Sequence, residues 1–221
     1  MEDNSNEVNN YNKRCRLAFK FATEGFVELV SNIPTGNLNN HALGDWTILE
    51  LVAHSARAFT TIEDYSNKIG NLPPLMNAAE YFKLAADSPV GSQARINRDK
   101  GISERAKAAS QDMKNDLCGF IKELATRVKN LVDNSADDTP IASPFGQMSL
   151  IGYLPTRTFE LTVHSLDLSK AADLELPDIF NLPISESLKL AAEIASGTEA
   201  AKDILLAVCG RKSLPSNFSL V

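Results

Sequence analysis

The stretch Arg157-Thr158-Phe159-Glu160-Leu161-Thr162-Val163-His164-Ser165-Leu166-Asp167-Leu168 decides the fold. Its apolar residues do not alternate as those of a strand would. With Leu154 before it and Ala172 after it, Leu161 and Leu168 recur at helical spacing, which predicts a helix from about Ser149 to Ala172. Pro155 marks either the first turn of that helix or a kink in it. Glu160 and His164 are four residues apart, about 40° around a helix that turns roughly 100° per residue, so they stack on one face. His164 lies about 60° from the centre of the apolar stripe, at the edge of a bundle interior. A carboxylate oxygen and an imidazole nitrogen so placed can converge on one cation. The same spacing also occurs, more commonly, as a helix-surface pair worth about a few tenths of a kcal/mol.

Helical periodicity continues on both sides. From about Asn6 to Ser31, the positions Tyr11, Cys15, Ala18, Ala22, Phe26 and Leu29 recur every three or four residues. Ile33-Pro34-Thr35-Gly36 breaks the pattern, and Asn37 to Asp45 reads as a polar loop. Thr47-Ile48-Leu49-Glu50 fits a capping box and opens a second helix through Ile48, Leu51, Val52, Ala58, Phe59, Ile62 and Tyr65. Gly70 falls in its C-terminal region. A short helix fits Asn77 to Ala86, and Ser88-Pro89-Val90-Gly91 is a turn. A third long helix is predicted from Ser103 to Asp133, on the stripe Ala106, Met113, Leu117, Phe120, Ile121, Leu124, Val128, Leu131 and Val132. At ~1.5 Å per residue it would be about 45 Å long, which suits a bundle. Asp137 to Gly146 reads as a loop. Ser185 to Ser196 and Thr198 to Cys209 read as shorter helices, with Gly210 at the end of the second and an irregular tail from Arg211 to Val221. The expected fold is all-α: a four-helix bundle with extra short helices, as one domain over residues 1–221.

The 221 residues include 22 basic and 28 acidic side chains, for a formal net charge of -6. That balance argues against blanket binding to nucleic acid or to an anionic membrane, which needs clustered Lys and Arg. The N-terminus is acidic and polar, the reverse of a signal peptide, and no apolar run is long enough to cross a bilayer. Cys15, Cys118 and Cys209 are odd in number and far apart, so neither a disulfide framework nor a thiolate zinc site is expected. A cytoplasmic location follows as an expectation. A homodimer stays open, with no interface signal in the sequence.

The three histidines are His41, His54 and His164. His41 sits in a polar loop and reads as a surface residue. His54 lies at the margin of the apolar face of the second helix. If the second and fourth helices are neighbours, His54 can meet Glu160 and His164 across the groove between them. Two imidazoles and one carboxylate suit Zn, Ni or Fe and leave positions for water or substrate. A lone His54 at a core margin is also an ordinary hydrogen-bonded structural residue. Arg157 and Asp167 read either as helix ion pairs or as groups that orient the ligands.

Gly44-Asp45-Trp46-Thr47-Ile48-Leu49-Glu50-Leu51-Val52-Ala53-His54 resembles the start of the second helix in the metal-binding domain of mycothiol-dependent maleylpyruvate isomerases, within the DinB/YfiT-like bundles. Arg157 to Leu168 resembles that family's fourth-helix signature. Leu205 to Arg211 with Leu214-Pro215 is similar to the way many single-domain members end. The resemblance implies a DinB-like bundle whose divalent metal, most simply Zn, is held by His54, Glu160 and His164. It also implies mycothiol or a similar thiol as cosubstrate and a small electrophilic substrate. The namesake isomerase carries a further C-terminal domain that contributes to its active site, and this chain stops at Val221. The resemblance therefore carries the metal-and-thiol chemistry of the bundle further than it carries maleylpyruvate isomerisation.

A thiol-dependent transferase or isomerase is the expected function. One rival is a metal-dependent hydrolase, with Glu50 as a weakly supported general base near His54. The other is a non-catalytic metal-binding bundle.

Overall fold

The computed structural model describes residues 2–75, 77–88, 91–216 and 218–221. Pro89 and Val90 of the expected turn, and Asn217 of the expected tail, lie outside the described residues. The first helix, α1, spans Glu2–Asn32. A small hairpin of β1 (His41–Leu43) and β2 (Trp46–Thr47) leads into α2 (Ile48–Ser55) and α3 (Arg57–Tyr65). Then come α4 (Ala78–Ala85), α5 (Gln93–Met113) and α6 (Leu117–Asp133). A second hairpin, β3 (Pro140–Ser143) with β4 (Gly146–Ser149), precedes α7 (Leu150–Ala172). The last helices are α8 (Asn181–Ala195) and α9 (Ala200–Val208).

The architecture is the expected all-α, DinB-like bundle. Its four members are α1, the α2–α3 pair, α6 and α7; α7 packs on α1, α2 and α3, and α6 packs on α1 and α3. Outside them, α8 covers α1 and α7, and α5 lies along α2. Phe19, Phe26, Phe59, Leu51 and Leu161 are sealed inside the core. α7 is the central element. It buries residues nearly all round, including the polar Thr156, Thr158, Thr162 and Ser165. Thr156 and Thr162 each donate a hydroxyl hydrogen bond to a carbonyl of their own helix, to Tyr153 and Thr158, which makes their burial tolerable.

Several expectations need correction. The second helix is interrupted for one residue at Ala56, just after His54. Its main-chain bonds still bracket the break, from the Ala56 N–H to Val52 O and from the Thr60 N–H to Ala56 O. Gly70 is no cap: α3 ends at Ser66, Asn67 takes the left-handed conformation, and the Gly70 N–H donates to Gln147. The third helix is two helices. Asp116 caps the new start by accepting from the Gly119 N–H at 2.8 Å. α5 begins ten residues before Ser103, at Gln93 with Ser92 as its cap. Its first half buries no residue, so it left no apolar stripe to read. Pro155 lies inside α7, beyond its first turn. Tyr11 and Phe120 face outward, while Phe19 is buried in their place.

Asp137 to Gly146 is not all loop, because it contains β3 and the turn of the second hairpin. Buried and half-buried residues alternate along both strands, as a strand's two faces require. A side chain at Gly146 would meet the Pro73 carbonyl oxygen and Leu75 at 2.6 Å, so the tight return needs glycine there. The Ser143 hydroxyl closes the turn by accepting from the N–H groups of Phe145 and Gly146. This places Phe145 at the hairpin tip, beside the cavity described next. No helix among the described residues is long and apolar enough to cross a membrane.

Candidate functional site

His54 stands near the end of α2. The expected capping box is present: the Thr47 N–H donates to Glu50 Oε2 at 2.9 Å, and the Glu50 N–H donates to Thr47 Oγ1 at 3.2 Å. It fixes the start of the helix that carries the histidine. It also engages Glu50, which does not line the cavity around His54. The Trp46 ring lies against the His54 ring, centroids 4.6 Å apart, and the Trp46 indole N–H donates to Ser103 Oγ of α5.

Across the groove, α7 presents Glu160 and His164. The His164 Nε2 and Glu160 Oε2 are 3.4 Å apart. The His54 and His164 rings meet edge to face, centroids 4.8 Å apart. The structure thus brings His54 together with Glu160 and His164, with one ligand atom from each within 4.8 Å of the others. Tetrahedral zinc with bonds of about 2.1 Å needs ligand atoms about 3.4 Å apart. The Glu160–His164 pair already has that separation, and the His54 ligand atom lies within 4.8 Å of both. One further observation fits a cation. His54 Nδ1 is buried with no hydrogen-bond partner among the described residues. An orphaned imidazole nitrogen is a costly feature that coordination chemistry can explain.

The remaining candidate residues divide. Asp167 Oδ2 lies 3.3 Å from His164 Nδ1, so the ring N–H donates to the carboxylate and the other nitrogen is left facing Glu160. A carboxylate behind a histidine is the usual way a metal ligand's tautomer is set. Arg157 is buried, but its hydrogen bonds go to Thr156 Oγ1 and the Tyr81 hydroxyl rather than to a ligand atom. It acts on Glu160 through charge alone. His41 is exposed on β1, and its ring Nε2–H donates to the Gly44 carbonyl at 2.6 Å.

The electrostatics of the two histidines are opposite. Burial, reinforced by the neighbouring His164, lowers the His54 pKa to about 4. Burial also opposes a charge on His164, yet the hydrogen bonds to Asp167 and Glu160 outweigh it and raise that pKa to about 9. Burial would raise Glu160, but the His164 hydrogen bond and the Arg157 charge pull it down to about 2. In the absence of metal, a proton on His164 therefore compensates the carboxylates.

The three residues sit in the wall of a cavity of about 880 Å³. That volume is at the upper end of the range for small-molecule sites. Trp46, Tyr65, Tyr81, Phe82 and Phe145 supply apolar walls. Sequence reasoning assigned no role to Trp46, Arg57 or Tyr81. Arg57 had a signal, since it follows His54 by three residues as Arg157 precedes Glu160 by three. Tyr81 had none.

A family model described as the mycothiol maleylpyruvate isomerase N-terminal domain matches residues 24–169. The chain belongs to that family. The matched range is roughly two thirds of the chain and contains His54, Glu160 and His164. The family supports a DinB-like, metal-binding, mycothiol-related protein. The tail from Leu205 to Pro215, similar to the ends of single-domain members, lies outside the matched range. No curated protein and no solved structure gives a significant match.

Proposed function

We propose that the chain is a divalent-metal-dependent transferase or isomerase that uses mycothiol or a similar low-molecular-weight thiol on a small electrophilic substrate. His54, Glu160 and His164 are its metal ligands, Zn the metal expected first, and residues 1–221 act as one DinB-like unit. The convergence of these three residues on one wall of a large, aromatic-lined cavity carries the reading. A bound divalent cation supplies the positive charge that lowers a coordinated thiol's pKa from its usual value near about 8.5.

The chain's own residues do the rest. Asp167 holds the His164 ring so that Nε2 faces the site. Arg157 keeps Glu160 ionised, and so available as the anionic ligand. Trp46 packs its ring against the His54 ring and lines the cavity beside it. The cavity is large enough for a thiol and a second small molecule side by side. The cysteines, free among the described residues, suit the reducing cytoplasm.

The hydrolase reading needs a general base beside the metal, and Glu50 is engaged in the helix cap instead. Metal analysis of the purified chain tests the proposal. The expected result is near one equivalent of divalent metal per chain, strongly reduced in His164→Ala, with metal-dependent consumption of thiol when an electrophile is added. Equal metal content in both proteins would sink the ligand assignment. Turnover of an ester without added thiol would favour the hydrolase.

A further inference from the structure

The cavity carries a charge that its metal ligands do not account for. Five arginines line it, Arg57, Arg95, Arg98, Arg105 and Arg157, against two acidic side chains, Asp99 and Glu160, and the last residue given, Val221. This concentration of positive charge sits in a chain whose net charge is -6. The two acids are engaged. Asp99 faces Arg95 and Arg98 at 3.4 and 3.5 Å, and Glu160 faces His164. Arg57 and Arg105 have no ion-pair partner among the described residues, and both act electrostatically on His54. Arg157 is a third case. It is 94% buried, as its 6% exposure implies, and its hydrogen bonds and ring contacts go to neutral groups, the Thr156 and Tyr81 hydroxyls and the Tyr81 and Tyr153 ring faces at 5.4 and 4.8 Å, while Glu160 acts on it through charge without a hydrogen bond. Its Nη1 makes no hydrogen bond among the described residues. A buried guanidinium that hydrogen-bonds to no carboxylate keeps donor capacity for a further anionic group.

We propose that the cavity selects a substrate bearing an anionic group, a carboxylate or a phosphoryl, on an apolar body, and that Arg57, Arg105 and Arg157 receive that group while the aromatic walls receive the body. The inference rests on the reading of this cavity as the substrate chamber beside the metal ligands. Planar guanidinium forks match carboxylate and phosphate oxygens in pairs; Arg157 offers its fork from a buried position, Arg57 from a half-buried one and Arg105 from an exposed one. Trp46 and Phe145 stand in the same wall, so an apolar body would rest on flat surfaces while its anion reaches the arginines.

The test uses the full chain, metal-loaded and after chelation, titrated calorimetrically with benzoate, phenyl phosphate and benzamide. Benzamide has the shape of benzoate without the charge. The chain has one tryptophan, which lines the cavity, so its fluorescence reports whether binding occurs there. At least one anion is expected to bind about tenfold or more tightly than benzamide, with a change in Trp46 emission, in both metal states. The tighter anion identifies the group as carboxylate or phosphoryl. In an Arg57→Gln/Arg105→Gln double variant the preference should collapse while metal content stays at the wild-type level. Benzoate, phenyl phosphate and benzamide binding alike, no anion binding at millimolar concentration, or an unchanged preference in the double variant would overturn the inference. Low metal content in the wild-type chain would instead count against the metal-centred function and leave the anion preference standing.

Discussion

His54 and His164 face each other across one groove, yet the regions that hold them are built on opposite terms. The α2 side offers a short capped helix, a tryptophan face and a buried nitrogen with no hydrogen-bond partner among the described residues. The α7 side surrounds its histidine with two carboxylates, Glu160 and Asp167. One imidazole is kept neutral and the other charged, at pKa values of about 4 and about 9. The difference teaches how a bundle can hold the proposed ligand set without metal. A proton on His164 balances the carboxylates, and His54 keeps a free lone pair for what replaces that proton.

Removing the anionic half should therefore do the most damage. Glu160→Gln keeps the shape of the side chain but deletes the only charged ligand. Metal affinity is expected to fall by more than about a hundredfold, beyond the usual effect of a supporting residue, as read by competition with a chromogenic chelator. A fall no larger than that caused by Asp167→Asn would remove Glu160 from the ligand set. Asp167→Asn itself should cost about 10–100-fold, because the ring keeps its place but loses the carboxylate that sets its tautomer. It should also lower the His164 pKa, measurable by NMR titration of the ring.

The two histidines also predict a pH optimum for the metal-free chain. The folded pKa of His164 is raised, from 6.5 to about 9, so its stabilising contribution is full below 6.5 and is lost as pH rises through about 9. The folded pKa of His54 is depressed, from 6.5 to about 4, so its contribution is present above 6.5 and is lost as pH falls through about 4. Glu160, depressed from 4.5 to about 2, adds a further loss at the acid end. Thermal stability of the chelated protein should peak near the value where the two histidine windows meet. Metal-loaded protein should behave differently, because binding displaces the His164 proton and affinity should rise with pH toward about 9. A flat profile in the chelated protein would break the contrast between the histidines.

The same contrast explains what could be read from sequence. Glu160 and His164 share one face of one helix, so their spacing alone brought them together. His54 needed α2 and α7 to be neighbours, which no local pattern states, and the family resemblance supplied it. The capping box at Thr47 was legible because its hydrogen bonds are local. The division between α5 and α6 was missed because the apolar residues of both fall on one continuing stripe, and only Asp116 marks the restart. The arginine-lined wall was invisible for another reason. Arg57, Arg105 and Arg157 come from α3, α5 and α7, and Arg105 lies in a helix whose first half presents no buried face.

The smallest expected effect tests whether the α2 side is positioned by its own start. Thr47 and Asp116 both cap a bundle helix by accepting from the N–H three residues on. Replacing either by Ala should cost about 1 kcal/mol of stability, seen as a similar drop in denaturant midpoint. The helices differ in what lies downstream. α6 carries no residue of the cavity wall, whereas α2 carries His54 two turns after its cap. Thr47→Ala should therefore weaken metal binding slightly, by a factor of about two or three, because fraying at the cap loosens the helix that aims the imidazole. Asp116→Ala, at matched loss of stability, should leave affinity unchanged. Equal affinity in both variants would mean that Trp46 and the bundle packing hold His54 by themselves, and that the cap serves the fold alone.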